Sequence, residues 1–164
     1  MPISRRMKLL SWAMEKENRY IIEDDHDSEF RYKGKPIPSL QGLDHHGRVI
    51  YIGTFSRAIA PAIRMGYMVL PKQLMAQYQQ SLSYYASTVS RIDQAMMCNF
   101  INGGFFERHL NKMRTRYKAK HDTLLRVLKV FGSCISITGE YAGLHLVVEF
   151  HIDWTEEELI QAAY

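Results

Sequence analysis

Apolar positions along the chain fall into two rhythms, one of helices and one of short buried strands. Met7, Leu10 and Met14 recur at helical spacing and put one apolar face on a helix over residues 4–16. A strand over Tyr20–Ile22 follows and gives way to the acidic run "EDDHDSE". The stretch "YKGKPIPSLQGLDHHG" is punctuated by Gly and Pro and reads as a loop. Two more apolar strands, "RVIYIG" and "MGYMVL", flank "TFSRAIAPAIR", so strands alternate with loops and helices. That alternation predicts an α/β sheet.

From Lys72 onward the pattern turns helical, over about 72–86, 89–102 and 105–131, with "NGG" at 102–104 separating the last two. On the longest of these, Phe106, Leu110, Met113, Tyr117, Leu124 and Leu128 mark a buried stripe, and the basic residues of "RHLNKMRTRYKAKH" occupy the remaining face. No aromatic residues interleave with those charges and no helix-turn-helix pattern follows, so the basic face reads as solvated and not as a nucleic-acid surface. Then "CISITG" and "GLHLVVEF" read as strands, and Thr155 with Glu158 forms a capping box that opens an amphipathic helix. The reading divides the chain into a first unit at 1–104, a connecting helix at 105–131 and a smaller unit starting at 132–164. With no strand before residue 20 and only about two turns in the last helix, the pattern reads as an interior stretch of a larger domain.

Composition narrows the class. Of 164 residues 46% are hydrophobic and 23% charged, as in an ordinary globular domain, which excludes disordered and collagen-like chains. No apolar run approaches the ~20 residues of a membrane span and the N-terminus lacks a signal-peptide pattern, so a cytoplasmic location is expected. Cys98 and Cys134 lie in apolar surroundings without CxxC spacing and read as buried free thiols; no metal site is expected. The net charge of +4 is mild.

In open α/β sheets ligands bind beyond the carboxyl ends of the strands, and two strands here end in polar clusters, "EDDHDSE" and "TFSR", with Arg64 seven residues beyond Arg57. Carboxylates at one strand end and hydroxyls with arginine at the next suit a ligand with a cationic ring on one side and a phosphate on the other, which is the shape of pyridoxal phosphate.

The stretches "RRMKLLSWA", "RYIIEDDHDSEFRY", "IPSLQGLD", "VIYIGTFSRAIAPAIRMGYMVLP" and "AGLHLVVEF" resemble, in order and spacing, the aminotransferase-like domain of MocR/GabR-type transcription regulators, members of the GntR family. The resemblance implies an α/β fold: part of the fold-type I large domain, a mostly parallel sheet with flanking helices, plus the start of the small α+β C-terminal domain. It implies pyridoxal 5'-phosphate as cofactor, a small amine or amino acid as effector, a homodimer that completes the site, and DNA contact only through a winged helix-turn-helix outside this chain. The family's ring-stacking aromatic residue and its carboxylate-gripping arginine would precede residue 1 and follow residue 164.

By the same resemblance, Asp24 falls where an aspartate pairs with the protonated pyridine nitrogen in a partly buried site. His26 stands where a tyrosine usually hydrogen-bonds the cofactor's phenolic oxygen. Thr54 and Ser56 match the hydroxyl-bearing turn, with Thr54 the phosphate contact, and Arg64 matches the phosphate-binding arginine. Asp25, Asp27 and Glu29 have no such counterpart and read as solvated or loop-capping acids. Among the other histidines, His109 and His121 fall on the long helix and His145 along the last strand, with no ligand role implied. The departure is Arg57, which occupies the slot of the Schiff-base lysine. A guanidinium stays protonated and cannot serve as the amine nucleophile, so a covalent link through this residue is not expected and the regulatory reading ranks ahead of its two alternatives, an active class I/II aminotransferase and a non-functional truncated remnant. Lys33, Lys35 and Lys72 are the nearest lysines in sequence, and none matches the cofactor carbonyl.

Overall fold

The computed structural model describes residues 1–25, 27–34, 37–82 and 84–163. Helix α1 (Ile3–Met14) leads into strand β1 (Ile21–Asp25), the four-residue helix α2 (Leu40–Leu43) and strand β2 (Val49–Thr54). After β2 come the short helix α3 (Phe55–Ala58), a 3-10 turn at Pro61–Ile63 and strand β3 (Gly66–Val69). Helices α4 (Lys72–Leu82), α5 (Arg91–Asn102) and α6 (Phe105–Leu128) follow, then a 3-10 segment at Lys129–Cys134, strands β4 (Ile135–Thr138) and β5 (Val147–Phe150), and helix α7 (Glu156–Ala163).

The three-stranded sheet runs β1-β2-β3, with β1 parallel to β2 and β2 antiparallel to β3. One face is covered by α1 and α2: Leu10, Leu40 and Val49 are buried together, with Leu9, Ile21 and Leu43 packed on them. Each such side chain contributes on the order of 1.5–3 kcal/mol when fully buried. On the other face Ile22, Ile52 and Met68 are exposed. A second group of aromatic contacts joins the sheet to the long helices, with Phe55 edge-on to Phe106 and Phe30, fully buried, edge-on to Tyr117 of α6.

The structure corrects several sequence expectations. Strand β1 does not stop at Ile22 but continues through Glu23, Asp24 and Asp25, because parallel pairing with Tyr51, Ile52 and Gly53 satisfies its backbone. The inward carboxylate of Glu23 is accommodated by accepting hydrogen bonds from the Leu40 and Gln41 amides at 2.8 and 3.0 Å and from Arg6 Nη1 at 3.1 Å. Those same bonds create α2 inside the stretch read as loop, with Ser39 Oγ capping it by accepting from the Gly42 amide. Helix α4 is described over Lys72–Leu82 and residues 84–86, expected to be helical, lie outside it, while α6 ends at Leu128, three residues short of expectation. Along α6 the stripe drifts, as a 3.6-residue period must: His121 and Leu125 lie on it, while Leu124 is exposed. Both cysteines are free but exposed, not buried: α5 buries only Met97, and the 3-10 segment that ends at Cys134 buries no residue. Strand β5 begins only at Val147, so His145 lies in the loop before it. The capping box at Thr155 is formed, with Thr155 Oγ1 accepting from the Glu158 amide at 3.3 Å and Glu158 Oε2 accepting from the Thr155 amide at 2.8 Å. No described helix is long and apolar enough to cross a membrane.

Candidate functional site

The ends of β1 and β2 lie side by side, and the sheet register fixes what meets there. Asp24 stands opposite Ile52, Asp25 opposite Gly53, and Thr54 opposite Gly66, two residues after Arg64. Strands sit about 4.8 Å apart, so Asp24, the Thr54 turn and Arg64 share one edge. Strand alternation then sorts the acids. Asp25 faces the covered side, where its Oδ2 accepts from Tyr51 Oη at 2.8 Å and from Ser28 Oγ at 2.6 Å, and its Oδ1 from the Ser28 amide at 3.2 Å. Burial, and then this bond to Asp25, push the Tyr51 hydroxyl well above the ordinary phenol range. Asp24 faces the other side with Ile22 and Ile52 and is exposed, not partly buried as the motif suggested; it makes no hydrogen bond or ion pair with a described residue. His26 lies outside the described residues.

At the end of β2, Thr54 is the N-cap of α3: its Oγ1 accepts from the Ser56 amide at 3.2 Å and donates to the Met65 carbonyl at 3.4 Å. This turn carries Arg57. His109 of α6 donates from Nε2 to the Ala58 carbonyl at 3.1 Å and so holds the far end of α3. Arg64 follows the 3-10 turn in the left-handed region at φ 48°, the only positive φ of a non-glycine among the described residues. Such strain in a non-glycine residue clusters at functional positions. Neither Arg57 nor Arg64 is in an ion pair among the described residues.

Two residues that the sequence reading left aside enter the site. His145 Nε2 lies 3.4 Å from Arg57 Nη1, and His145 Nδ1 lies 3.9 Å from Asp27 Oδ2. Asp27 is not a merely solvated acid: its Oδ2 accepts from the Leu144 amide at 3.3 Å. Backbone bonds from Gly143 to the Phe30 carbonyl at 2.7 Å and from Tyr32 to the Tyr141 carbonyl at 3.0 Å dock this loop against the segment after β1. The "AGLH" block and the acidic block therefore meet, a juxtaposition that no local spacing could reveal.

The donor set can be tested against pyridoxal phosphate. An unpaired carboxylate at Asp24 suits a protonated ring nitrogen, and Thr54, Ser56 and the unpaired Arg64 suit a phosphate. The amine for a covalent link is missing. Of the lysines considered, Lys33 places its Nζ over the Tyr141 ring at 5.5 Å, Lys72 is exposed at the start of α4, and Lys35 lies outside the described residues. The set fits noncovalent binding of ring and phosphate and does not fit a Schiff base.

A parallel β1-β2 pair whose carboxyl ends gather an acid, a hydroxyl turn and arginines defines a fold-type I, aminotransferase-type domain. The model of the family "Aminotransferase class I and II" matches residues 4–162, and the chain belongs to that family, whose cofactor is pyridoxal phosphate. The chain is 46% identical over 164 residues to the uncharacterized HTH-type transcriptional regulator YhdI of Bacillus subtilis (strain 168), covering 99% of this chain and 35% of that protein. It is 35% identical to the probable rhizopine catabolism regulatory protein MocR of Rhizobium meliloti, covering 99% of this chain and 33% of that protein. Among solved structures it is similar to the kynurenine aminotransferase of Pyrococcus horikoshii in complex with PMP, with a TM-score of 0.80 at 29% identity, covering 99% of this chain and 40% of that one. The chain spans about a third of the length of the curated relatives it matches.

Proposed function

We propose that this chain is part of the aminotransferase-like effector domain of a MocR/GabR-type transcription regulator that senses a small amine or amino acid. The observation that carries the reading is its similarity over 99% of its length to HTH-type regulators, at 46% and 35% identity, combined with an arginine where catalysis would need a lysine. In this reading residues 1–104 belong to the cofactor-binding large domain, 105–131 to the connecting helix and 132–164 to the small domain. The regulator is cytoplasmic, pairs as a homodimer through this domain and meets DNA through a winged helix-turn-helix elsewhere in the protein.

Pyridoxal phosphate, when bound, supplies an electron-withdrawing pyridinium ring. Asp24 would accept the ring N–H as a charge-assisted hydrogen bond, and His26 would serve the phenolic oxygen. Ser56 would offer a hydroxyl donor to the phosphate, Thr54 would do so on releasing its long 3.4 Å bond to the Met65 carbonyl, and Arg64 would offer a planar fork matched to the phosphate, held in place by its constrained backbone. Arg57 contributes charge without nucleophilicity.

The test is spectroscopic. Full-length protein with Arg57→Lys is expected to develop the absorption band of a Schiff base on addition of pyridoxal phosphate, which the unmodified protein lacks. A lysine variant that folds but binds no cofactor would sink the site assignment. Transamination by the unmodified protein, supplied with cofactor and an amino donor, would overturn the regulatory reading in favour of an enzyme.

A further inference from the structure

We propose that Arg57, held in place by His145, receives a carboxylate, so that the ligand of this site is a phosphopyridoxyl amino acid held without any covalent bond to the protein. The inference deepens the cofactor reading above and rests on it. Its basis is the unneutralised charge at the strand ends. The Arg57 guanidinium carries five N–H donors, and among the described residues its only polar contact is His145 Nε2 at 3.4 Å, near the limit of a hydrogen bond. Asp27 lies behind the imidazole at 3.9 Å from its Nδ1 and is already engaged by the Leu144 amide. A guanidinium only donates, so His145 Nε2 is the acceptor of the Arg57 contact, and the remaining N–H donors of Arg57 have no partner among the described residues. Arg57 is exposed and the His145 side chain beside it is 64% exposed, so those donors are open to an incoming group.

Arg64, seven residues on and also outside any ion pair among the described residues, gives the edge a second cationic point. Two such points call for a ligand with two anionic groups. A phosphate meets Arg64, and a carboxylate meets the fork of Arg57, where bidentate charge-assisted bonds form. An amine form of the cofactor would instead set its ammonium against Arg57. The receiving loop is fixed in advance by the Gly143–Phe30 and Tyr32–Tyr141 backbone bonds, which lowers the ordering cost of binding.

Calorimetric titration of the full-length protein with two compounds that differ only in the carboxylate tests this: N-(5'-phosphopyridoxyl)-L-alanine and N-(5'-phosphopyridoxyl)ethylamine. The unmodified protein is expected to prefer the alanine compound. Because the resemblance places a further carboxylate-binding arginine after Tyr164, the decisive quantity is how the preference changes. Arg57→Gln is expected to reduce it about tenfold or more, the worth of a hydrogen bond to a charged group, while ethylamine-compound affinity holds within about threefold. His145→Phe, which keeps Arg57 and a planar ring, is expected to reduce it by a smaller factor. Either variant keeping the full native preference, with its affinity for the ethylamine compound intact, overturns the pairing. Equal binding of both compounds by the unmodified protein overturns this inference and leaves the cofactor reading standing, whereas binding of neither overturns both.

Discussion

Replacing Gly143 with alanine tests whether the loop that carries His145 is held by close backbone approach to Asp27. Gly143 adopts φ +86°, and a Cβ built there would stand 2.9 Å from Asp27 Oδ2. The left-handed backbone alone costs an L-residue roughly 1–2 kcal/mol. Relief of the clash requires the Asp27 carboxylate to leave the Leu144 amide, which donates to it at 3.3 Å. Losing a hydrogen bond to a charged group costs about 1.5 kcal/mol at the low end of its range, appropriate for one this long. The combined loss is about 3 kcal/mol, a fall of roughly 1–2 M in the urea midpoint at a slope near 2 kcal/mol/M. Gly104→Ala is the matched control, because Gly104 has φ +70° but no atom within 4 Å of its ideal Cβ. It should show the backbone term alone. Urea unfolding followed by circular dichroism should therefore separate the two variants by about 1.5 kcal/mol. In an Asp27→Ala background the difference should vanish. Equal losses from Gly143→Ala and Gly104→Ala in the unmodified background would refute the reasoning.

Glu23→Gln keeps the shape but removes the charge that collects Arg6 and two α2 amides; a loss of about 2 kcal/mol is expected in the same assay, and an unchanged midpoint would contradict it. Tyr51→Phe deletes the hydroxyl that donates to Asp25 at 2.8 Å and should cost about 1–2 kcal/mol, with Asp25 still bound to Ser28. Glu29 gives a pH dependence. Burial, the largest cause, raises its carboxyl above the ordinary range, so the folded chain holds this proton more tightly than the unfolded chain. Its contribution is therefore most favourable below the unfolded carboxyl range and declines as pH rises through the folded value. Glu29→Gln should match the unmodified protein more closely at pH ~4 than at pH ~7, where the variant gains; a gap of the same size at both values would show that the effect is not titration.

The helices and the order of strands were legible because they depend on local periodicity. Leu110 in α6 and Leu10 in α1 are buried as their spacing requires, but the α1 face is centred on Leu10 and Ala13, and Met7 and Met14, which the periodicity placed beside Leu10, are exposed. The acidic end of β1 was misjudged because an alternating pattern treats a charge as an exit from the sheet. The partners that keep Glu23 inside come from Arg6 and from an α2 that exists partly because Glu23 caps it. The proposal that Arg57 stands in the slot of a lysine was legible in the sequence, since it rests on the resemblance of the surrounding motif and on no long-range contact. The His145 contact was not, because it joins positions 88 residues apart, and the Asp27–Leu144 bond spans 117. Contacts of that range are set by how β1 and the last loop dock, and no window of sequence contains them.

The sorting of the acids also bears on how the site works. Glu23 and Asp25 point to the covered face and are consumed by Arg6, α2, Ser28 and Tyr51. Asp27 is consumed by the Leu144 amide, and Glu29 is half-buried, its carboxyl raised above the ordinary range by that burial. Only Asp24 projects from the opposite face, beside Ile22 and Ile52, without a polar partner among the described residues. A carboxylate already bound by protein donors would have little left to offer a cationic ring, whereas an unengaged one keeps its full charge for it. The five acids of this run are, in the fold, four structural anchors around a single available anion among the described residues. Asp24→Asn should accordingly weaken binding of a phosphopyridoxyl ligand about tenfold while leaving the urea midpoint within about 0.5 kcal/mol of the unmodified protein. A variant that unfolds early but binds normally when folded would move Asp24 from the site to the scaffold.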